Sequence, residues 1–180
     1  MRARGGAALG LFLSLLGCGE IDGSRPFAGT AEYQPADGAY RMRLLSPPWL
    51  LVNASGEVAD FAVEPSELST DSVPPTVKLH VQPVVVGASA AAAAALAAFM
   101  AQHPSARVTI PLATIQNTAG QPGFQFSIFD PAPAAWHREA FFDGREGAFD
   151  LRFDGIVELD GLDVTSVIVG FAAKKRDGTF

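Results

Sequence analysis

Three histidines are the first side chains in this sequence that could bind a metal or move a proton. They are His80, His103 and His137, and they lie far apart along the chain. Zinc sites usually combine closely spaced histidines and cysteines, for example two histidines one helical turn apart. No pair of these histidines has that spacing, and no cysteine lies near any of them. The sequence therefore predicts no metal site, and each histidine fits a strand face or a helix end.

Carboxylates are the second group that could carry chemistry. Four lie close together in one stretch: Asp143, Glu146, Asp150 and Asp154. They could form a carboxylate site, but their positions better fit the solvated face of a hairpin. Neither a Gly-x-Ser-x-Gly elbow nor a glycine-rich phosphate loop occurs in the sequence. We therefore predict no catalytic residue and no cofactor, so that the chain is not an enzyme.

A calcium site and an enzyme remain as alternatives. Asp160 and Asp163 near Glu158 are the best calcium candidates, but they lack the alternating aspartates of a known calcium loop. We prefer a role for them in capping a helix N-terminus. A hydrolase would be favoured if a cleft gathered two of four histidine and aspartate groups and nothing neutralised them. A closed core with these groups scattered around it would exclude a hydrolase. The groups concerned are His80, His137, Asp150 and Asp154.

The one cysteine, Cys18, indicates a different chemistry. Arg2 and Arg4 precede an apolar run over residues 7–16, which is the layout of a secretory signal and is too short for a comfortable membrane span. Residues 15–18, Leu-Leu-Gly-Cys, resemble the bacterial lipobox, in which a peptidase cuts before a lipidated cysteine. We predict a lipoprotein signal peptide over residues 1–17 and lipidation of Cys18. The alternative is an ordinary signal peptide with an incidental cysteine.

The lipobox resemblance also implies a location. Each buried methylene contributes about 0.8 kcal/mol, so a three-chain anchor that includes palmitate would be effectively permanent. Gly19 is not the aspartate that retains lipoproteins at the inner membrane of enteric bacteria. We therefore expect the protein at the outer membrane, facing the periplasm.

Charge and composition limit the partners and the number of domains. The 180-residue chain has a formal charge of −6, and loss of Arg2 and Arg4 would leave 11 basic and 19 acidic residues. Such a surface is repelled by phosphate backbones, so nucleic acid is excluded as a partner. Residues 18–39 are rich in Gly, Pro and small polar residues, which predicts a flexible tether. Residues 40–180 then form one domain.

A hairpin over residues 136–154 is the clearest element of that domain. Both arms alternate between apolar and polar residues, and residues 143–147 carry two glycines that suit a short loop. Pairing Glu139 with Arg152 keeps both faces consistent, whereas a shift by one residue would pair Glu139 with Leu151. We therefore predict the first register.

The other elements follow from the same patterns. Strands are predicted at residues 40–44, 58–63, 77–82, 108–113 and 124–128, with one helical turn or an irregular cap at residues 49–52. A helix over residues 89–102 would use Ser89 as its N-cap and bury Leu96, Phe99 and Met100. A closing helix over residues 160–175 would end near Lys174, Lys175 and Arg176, although its β-branched residues favour a strand.

Four segments together resemble the PsbP-like α/β/α sandwich, and within it the bacterial DcrB-type lipoproteins. They are residues 40–49, with the Pro48-Trp49 turn, and residues 138–141, 147–153 and 166–171. Gly170 stands where the family commonly has a serine. Over about residues 40–175 the resemblance implies an α+β fold with an antiparallel β-sheet, including a four-strand meander, flanked by helices.

The resemblance implies a binding or accessory role and supplies no catalytic residues. Its members help to assemble photosystems, bind a Ran-type GTPase or lie in bacterial envelopes. We therefore expect a non-catalytic, lipid-anchored envelope protein with a protein or small-ligand partner. The alternative is an envelope hydrolase that uses a carboxylate or histidine site on the sandwich.

Overall fold

The computed structural model describes residues 31–44, 49–63, 77–156, 159 and 164–180. The predicted signal peptide and Cys18 lie outside these residues, as do Glu158, Asp160 and Asp163. The described elements are β1 (Ala31–Tyr33), β2 (Tyr40–Leu44), β3 (Leu50–Ser55), β4 (Val58–Val63), β5 (Val77–Val84), α1 (Ala88–Gln102), β6 (Arg107–Gln116), β7 (Pro122–Pro131), β8 (Ala134–Asp143), β9 (Ala148–Gly155), α2 (Val164–Gly170) and β10 (Ala172–Ala173).

The strands form two antiparallel sheets. The larger has the order β3-β4-β5-β9-β8-β7-β6, and the smaller has the order β1-β2-β10. Strands β6 to β9 pair in succession, which is the predicted four-strand meander. Helix α1 packs against β7, β8 and β9, and α2 packs against β2. The predicted α+β fold, an antiparallel sheet flanked by helices, is confirmed.

The hairpin register is also confirmed. Glu139 pairs with Arg152, and His137 pairs with Asp154. The shifted register would have placed the Glu139 carboxylate beside Leu151, which is fully buried. At the tip, the Gly144 N–H donates to the Gly147 carbonyl oxygen over 2.7 Å. A Cβ on Gly147 would overlap the carbonyl oxygen of Val84, so glycine permits the loop to lie against β5.

An inner core fills the space between the two sheets. Strand β9 contributes every second residue to it, and β2, β4, β5 and α2 supply the facing side chains. Burial of this large aromatic and aliphatic surface is the main stabilising contribution to the fold. Its largest members, all fully buried, are Trp49, Tyr40, Met42, Leu44, Phe61, Leu79, Phe142, Phe153 and Phe171.

A second, smaller core lies under α1. Ala88, Ala91 and Ala92 are buried there against the sheet. Their small side chains let the helix approach closely. The three residues predicted to fill this core, Leu96, Phe99 and Met100, pack against it but are only partly buried. The prediction is therefore confirmed in part.

The predicted N-terminus of α1 and the predicted C-terminus of α2 both need correction. Helix α1 begins at Ala88, and Ser89 is not its N-cap, because the cap residue is Gly87. The Asp143 carboxylate accepts the Ala88 N–H over 2.7 Å, so the hairpin supplies the cap. Helix α2 is shorter than predicted and ends at Gly170, whose lack of a side chain weakens helix propagation.

Three short segments also differ from the predictions. Residues 172–173 form β10 on β2, so the basic residues 174–176 follow a strand and do not cap a helix. Residues 50–55 form β3 on β4, where a turn or cap was predicted, because pairing with β4 outweighs the effect of the preceding prolines. Residues 31–33 lie in the predicted tether, yet they pair with β2 as β1.

The edge strand β6 is irregular. Most of its side chains are exposed, including Val108 and Leu112. Its pairing with β7 shifts between Val108 and Ile110 and again between Ile110 and Ala113. Pro111 lies between Ile110 and Ala113. It has no N–H, so it cannot donate a hydrogen bond to a neighbouring strand.

Candidate functional site

An open polar cleft lies on the α1 side of the large sheet, over β4, β5 and the end of β9. The cleft has a volume of about 490 Å³. Five polar side chains from β4, β5 and β9 line it, and we call them the open polar face: Asp60, Lys78, His80, Arg152 and Asp154. They share a face because side chains alternate along each strand, so the residues between them point into the inner core.

The cross-strand register places these side chains next to one another. His80 pairs with Asp60 on one side and with Arg152 on the other. Lys78 pairs with Asp154. Lys78 and Asp154 are therefore an opposite-charge pair on neighbouring strands, which is a stabilising arrangement.

Asp60 fixes the orientation of His80. A carboxylate oxygen can only accept, so His80 Nδ1 carries the hydrogen that it donates to Asp60 Oδ1. Asn53 Nδ2 donates to the second oxygen, Oδ2, over 3.2 Å. Within the described residues His80 Nε2 makes no hydrogen bond, so it is available to a ligand.

His137 lies beside the open polar face and is held by two carboxylates. Its Nδ1 donates to Asp154 Oδ1 over 2.6 Å, and its Nε2 donates to Glu139 Oε1 over 2.7 Å. Burial alone would lower the pKa of His137, but these two hydrogen bonds outweigh burial and raise the pKa to about 9. An imidazole that donates from both nitrogens is an imidazolium.

Asp154 is the group shared between His137 and the cleft. Its Oδ2 lies 3.4 Å from Arg152 Nε. Burial raises the pKa of Asp154, but the hydrogen bond and charge of His137, with the charges of Arg152 and Lys78, lower it overall. Asp154 is therefore an anion whose charge is already neutralised by its neighbours.

Asp150 and Glu139 are buried carboxylates on the same face. Asp150 Oδ2 accepts from Gln82 Nε2 over 3.0 Å. Asp150 Oδ1 and Glu139 Oε2 are buried and have no hydrogen-bond partner among the residues that the structure describes. Burial, together with the nearby Glu139 charge, raises the pKa of Asp150 to about 6. The prediction of a solvated position is therefore wrong for Asp150, because α1 packs on this part of the sheet.

An aromatic stack connects α1 to this network. The Phe99 ring lies between His103 and His137, with centroid distances of 4.3 and 4.5 Å. His103 Nδ1 pairs with Asp130 Oδ2 over 2.6 Å, at the far end of the helix from the Asp143 cap. This stack accounts for the position of Phe99 better than an apolar stripe alone.

The structure thus brings some of the predicted groups together. His80 and Asp154 share the cleft, with His137 and Asp150 next to them, but each has a hydrogen-bond partner. The arrangement is neither an unneutralised cleft nor a closed core with scattered groups. Asp143 and Glu146 lie elsewhere, in the hairpin loop region. Within the described part of the chain no three histidine, cysteine or carboxylate groups are placed to hold a metal ion.

Sequence reasoning missed Asp60, Lys78 and Arg152 as site residues. Arg152 could have been found from the hairpin register, because that register places it opposite Glu139 on the polar face of the hairpin. Asp60 and Lys78 could not, because their position depends on the pairing of β5 with β9, which joins residues far apart in the sequence.

A second cleft, of about 370 Å³, lies between the hairpin loop and the β1–β2 turn. Phe149 and Val84 line it together with the charged side chains of Glu57 and Lys174. Burial, with the charges of Asp37 and Glu146, raises the pKa of Glu57. Its charged groups lie on loops, whereas those of the open polar face are held on paired strands.

The comparisons with known proteins support the fold. No protein-family model matches the sequence, and no curated protein matches it either. The solution structure of cyanobacterial PsbP (CyanoP) from Synechocystis sp. PCC 6803 is similar, with a TM-score of 0.50 and 13% identity over 84% of this chain and 96% of that chain. The chain therefore has a PsbP-like fold.

A second similar structure is a crystal structure from Bacteroides thetaiotaomicron VPI-5482. It has a TM-score of 0.43 and 13% identity over 84% of this chain and 51% of that chain. This chain thus spans about half the length of the Bacteroides protein. Among the described residues of this chain, no helix is long and apolar enough to cross a membrane.

Proposed function

We propose that this protein is a lipid-anchored envelope protein of the DcrB type whose PsbP-like domain is a non-catalytic binding module. Cys18 would carry the anchor, and the open polar face would hold the ligand. The observation that carries the proposal is the cleft on paired strands, where Asp60 and Asp154 are fixed by hydrogen bonds from His80 and His137. Side chains held before a ligand arrives lose little conformational freedom on binding.

The anchor is tested by removing the one sulfur that can form the thioether. Cells that produce the parent or Cys18→Ser are labelled with a clickable palmitate analogue, and the labelled protein is measured after gel separation. We expect label on the parent only, with the variant left unprocessed by the lipoprotein peptidase. Equal labelling of both proteins, or none of the parent, would remove the anchor and the envelope location.

The binding face is tested with a photo-crosslinking amino acid at two exposed positions. Val52 lines the cleft, and Ala97 lies on the exposed side of α1 as the control. After illumination of intact envelopes, the purified protein is analysed by mass spectrometry. We expect an added mass at Val52 that is absent at Ala97. The same adducts at both positions, or no adduct at Val52, would contradict a ligand site on this face.

A hydrolase is the second candidate function, and the Asp60–His80 pair favours it. An imidazole oriented by a carboxylate, with Nε2 available, can act as a general base. No serine, threonine or cysteine is among the described residues that line the cleft, so water would be the nucleophile.

The hydrolase is tested with 4-nitrophenyl butyrate. Hydrolysis that is lost in His80→Gln and kept in His103→Gln would support it. His103 is the matched control, because it also pairs with a carboxylate but lies outside the cleft. Equal rates for the parent and both variants would exclude this candidate.

A further inference from the structure

We infer that the cleft of the open polar face binds a small organic oxyanion, a carboxylate or phosphate group carried on a short apolar body. This inference rests on the proposed binding function and adds the class of ligand. It follows from which hydrogen-bonding groups in the cleft are already occupied and which are not. The overall acidity of the chain would not predict it, because the formal charge is −6.

The carboxylate oxygens in the cleft already contact donors or cations of the protein. Both oxygens of Asp60 accept, one from His80 and one from Asn53. Asp154 accepts from His137, and its other oxygen faces Arg152 Nε. A cationic ligand would therefore have to displace hydrogen bonds that hold the site together.

The donors in the cleft are not occupied. Within the described residues, neither the Lys78 ammonium nor the terminal Arg152 nitrogens make a hydrogen bond, and Lys78 makes no close ion pair. An oxyanion accepts from both groups, and charge-assisted hydrogen bonds of this kind are roughly twice as strong as neutral ones.

The register sets the spacing of these donors. Lys78 pairs with Asp154, and Arg152 pairs with His80, so Lys78 and Arg152 are diagonal neighbours on β5 and β9. Diagonal neighbours lie about 7–8 Å apart, a gap that two long side chains close around one small anion. The planar arginine group adds a fork that matches a carboxylate or phosphate.

The apolar part of the ligand is indicated by Val52. Its side chain is 62% exposed although it lies on a strand, and it lines the same cleft as the donors. The register between β3 and β4 shifts at this position, between Leu51 and Asn53. A short alkyl group bound beside the oxyanion would cover Val52. Apolar area on both the ligand and Val52 would then be removed from water, which is favourable.

Three probes that share one alkyl chain test the inference: butyrate, butylphosphonate and butylammonium. Each is titrated into the isotope-labelled full chain in detergent, and backbone amide shifts are followed by NMR. We expect saturable shifts at residues 78–80 and 152–154 with at least one anion and none with butylammonium. The tighter of the two anions identifies the carboxylate or the phosphate as the source.

Two lysine variants separate a specific contact from general charge. Lys78→Gln should raise the Kd of the bound anion about tenfold, because one charge-assisted hydrogen bond is lost. Lys175→Gln removes the same charge from an exposed position outside the cleft, and its Kd should stay within about twofold of the parent value.

Three results would overturn the inference: no saturable shift with either anion, equal weakening by both variants, or butylammonium bound at the same residues. The last result would leave the cleft as a ligand site, so only the class of ligand would be wrong. The binding function itself fails only in the comparison of crosslinks at Val52 and Ala97.

Discussion

The two faces of β9 differ in what holds them. Phe149, Leu151 and Phe153 point into the inner core, whereas Asp150, Arg152 and Asp154 point to the α1 side. The first face is stabilised by the removal of apolar area from water. This effect has no preferred direction, so it does not require one exact arrangement of side chains. The second is stabilised by hydrogen bonds and ion pairs whose partners come from β5, β8 and β9 itself.

This difference separates fold from function. Loss of an inner-core residue acts on the stability of the whole domain. Loss of a polar partner acts through the one or two groups that it contacts, so its effect on stability is smaller. The α1 side can therefore carry a site, provided that the inner core is intact.

The largest expected effect comes from a charge placed in the inner core. Leu151→Asp buries an unpaired carboxylate where the side chain is fully inaccessible, so the domain should not fold. Circular dichroism should show no cooperative melting. Lys78→Gln is the control. Lys78 lies on the neighbouring strand β5 but on the polar face of the sheet, so this variant should melt like the parent. A cooperative Leu151→Asp transition at the parent temperature would show that this face is not core.

The next effect comes from the cation between two carboxylates. His137→Ala leaves Glu139 and Asp154 without their shared donor and should lower the free energy of unfolding by about 3–5 kcal/mol. His103→Ala breaks a single, partly exposed pair and should cost about 1 kcal/mol. Urea denaturation measures both. If both variants lost the same free energy of unfolding, the second carboxylate partner of His137 would contribute nothing to stability.

The same histidine should make stability depend on pH. Its folded pKa of about 9 exceeds the usual 6.5, so its contribution is complete below pH 6.5 and is lost as the pH rises to about 9. The loss should be roughly 3 kcal/mol in the parent. Unfolding curves of His137→Ala should lack this loss over the same range. A parallel decline in both proteins would assign it to other groups.

Asp150 should have the opposite effect on neutral stability. Its folded pKa of about 6 lies above the usual 3.8, so stability is greatest below pH 3.8 and falls as the pH rises through 6. Asp150→Asn removes the buried charge and should be more stable than the parent at pH 7 by up to about 3 kcal/mol. The difference should vanish near pH 4. Glu146→Gln, in the exposed loop, should match the parent at both values.

A smaller effect than that of His137→Ala should come from the stack on α1. Phe99→Ala removes a partly buried ring between two imidazoles and should cost about 2 kcal/mol, below the range for fully buried rings. Phe99→Leu keeps much of the apolar volume and is the matched control. Thermal unfolding would decide, and equal stability of Phe99→Ala and the parent would exclude the stack as a support of α1.

The sequence predicted what depends on local pattern. The register of β8 and β9 followed from alternation, because a wrong register would bury Glu139 against Leu151. The span of α1 followed from its alanines and from Pro104. Its cap did not, since Asp143 reaches Ala88 from a distant hairpin.

The candidate site depended on long-range pairing and so was largely missed. His80 and Asp154 were named, but not as neighbours, because nothing local to either indicates that β5 lies beside β9. Strand β3 was missed for a related reason. Its pairing with β4 decides its conformation, and two prolines precede it. Lipidation at Cys18 lies outside the described residues and stays a prediction.

The irregular edge of β6 has a consequence for crowding. Proteins tethered to a membrane would meet copies of themselves in two dimensions, at a local concentration far above that in solution. A regular, exposed strand edge would then act as a template for sheet extension from one copy to the next. The two register shifts and the missing N–H of Pro111 interrupt the row of donors and acceptors that a second strand would need. If the proposed anchor is present, the irregularity of β6 would disfavour sheet extension at this edge.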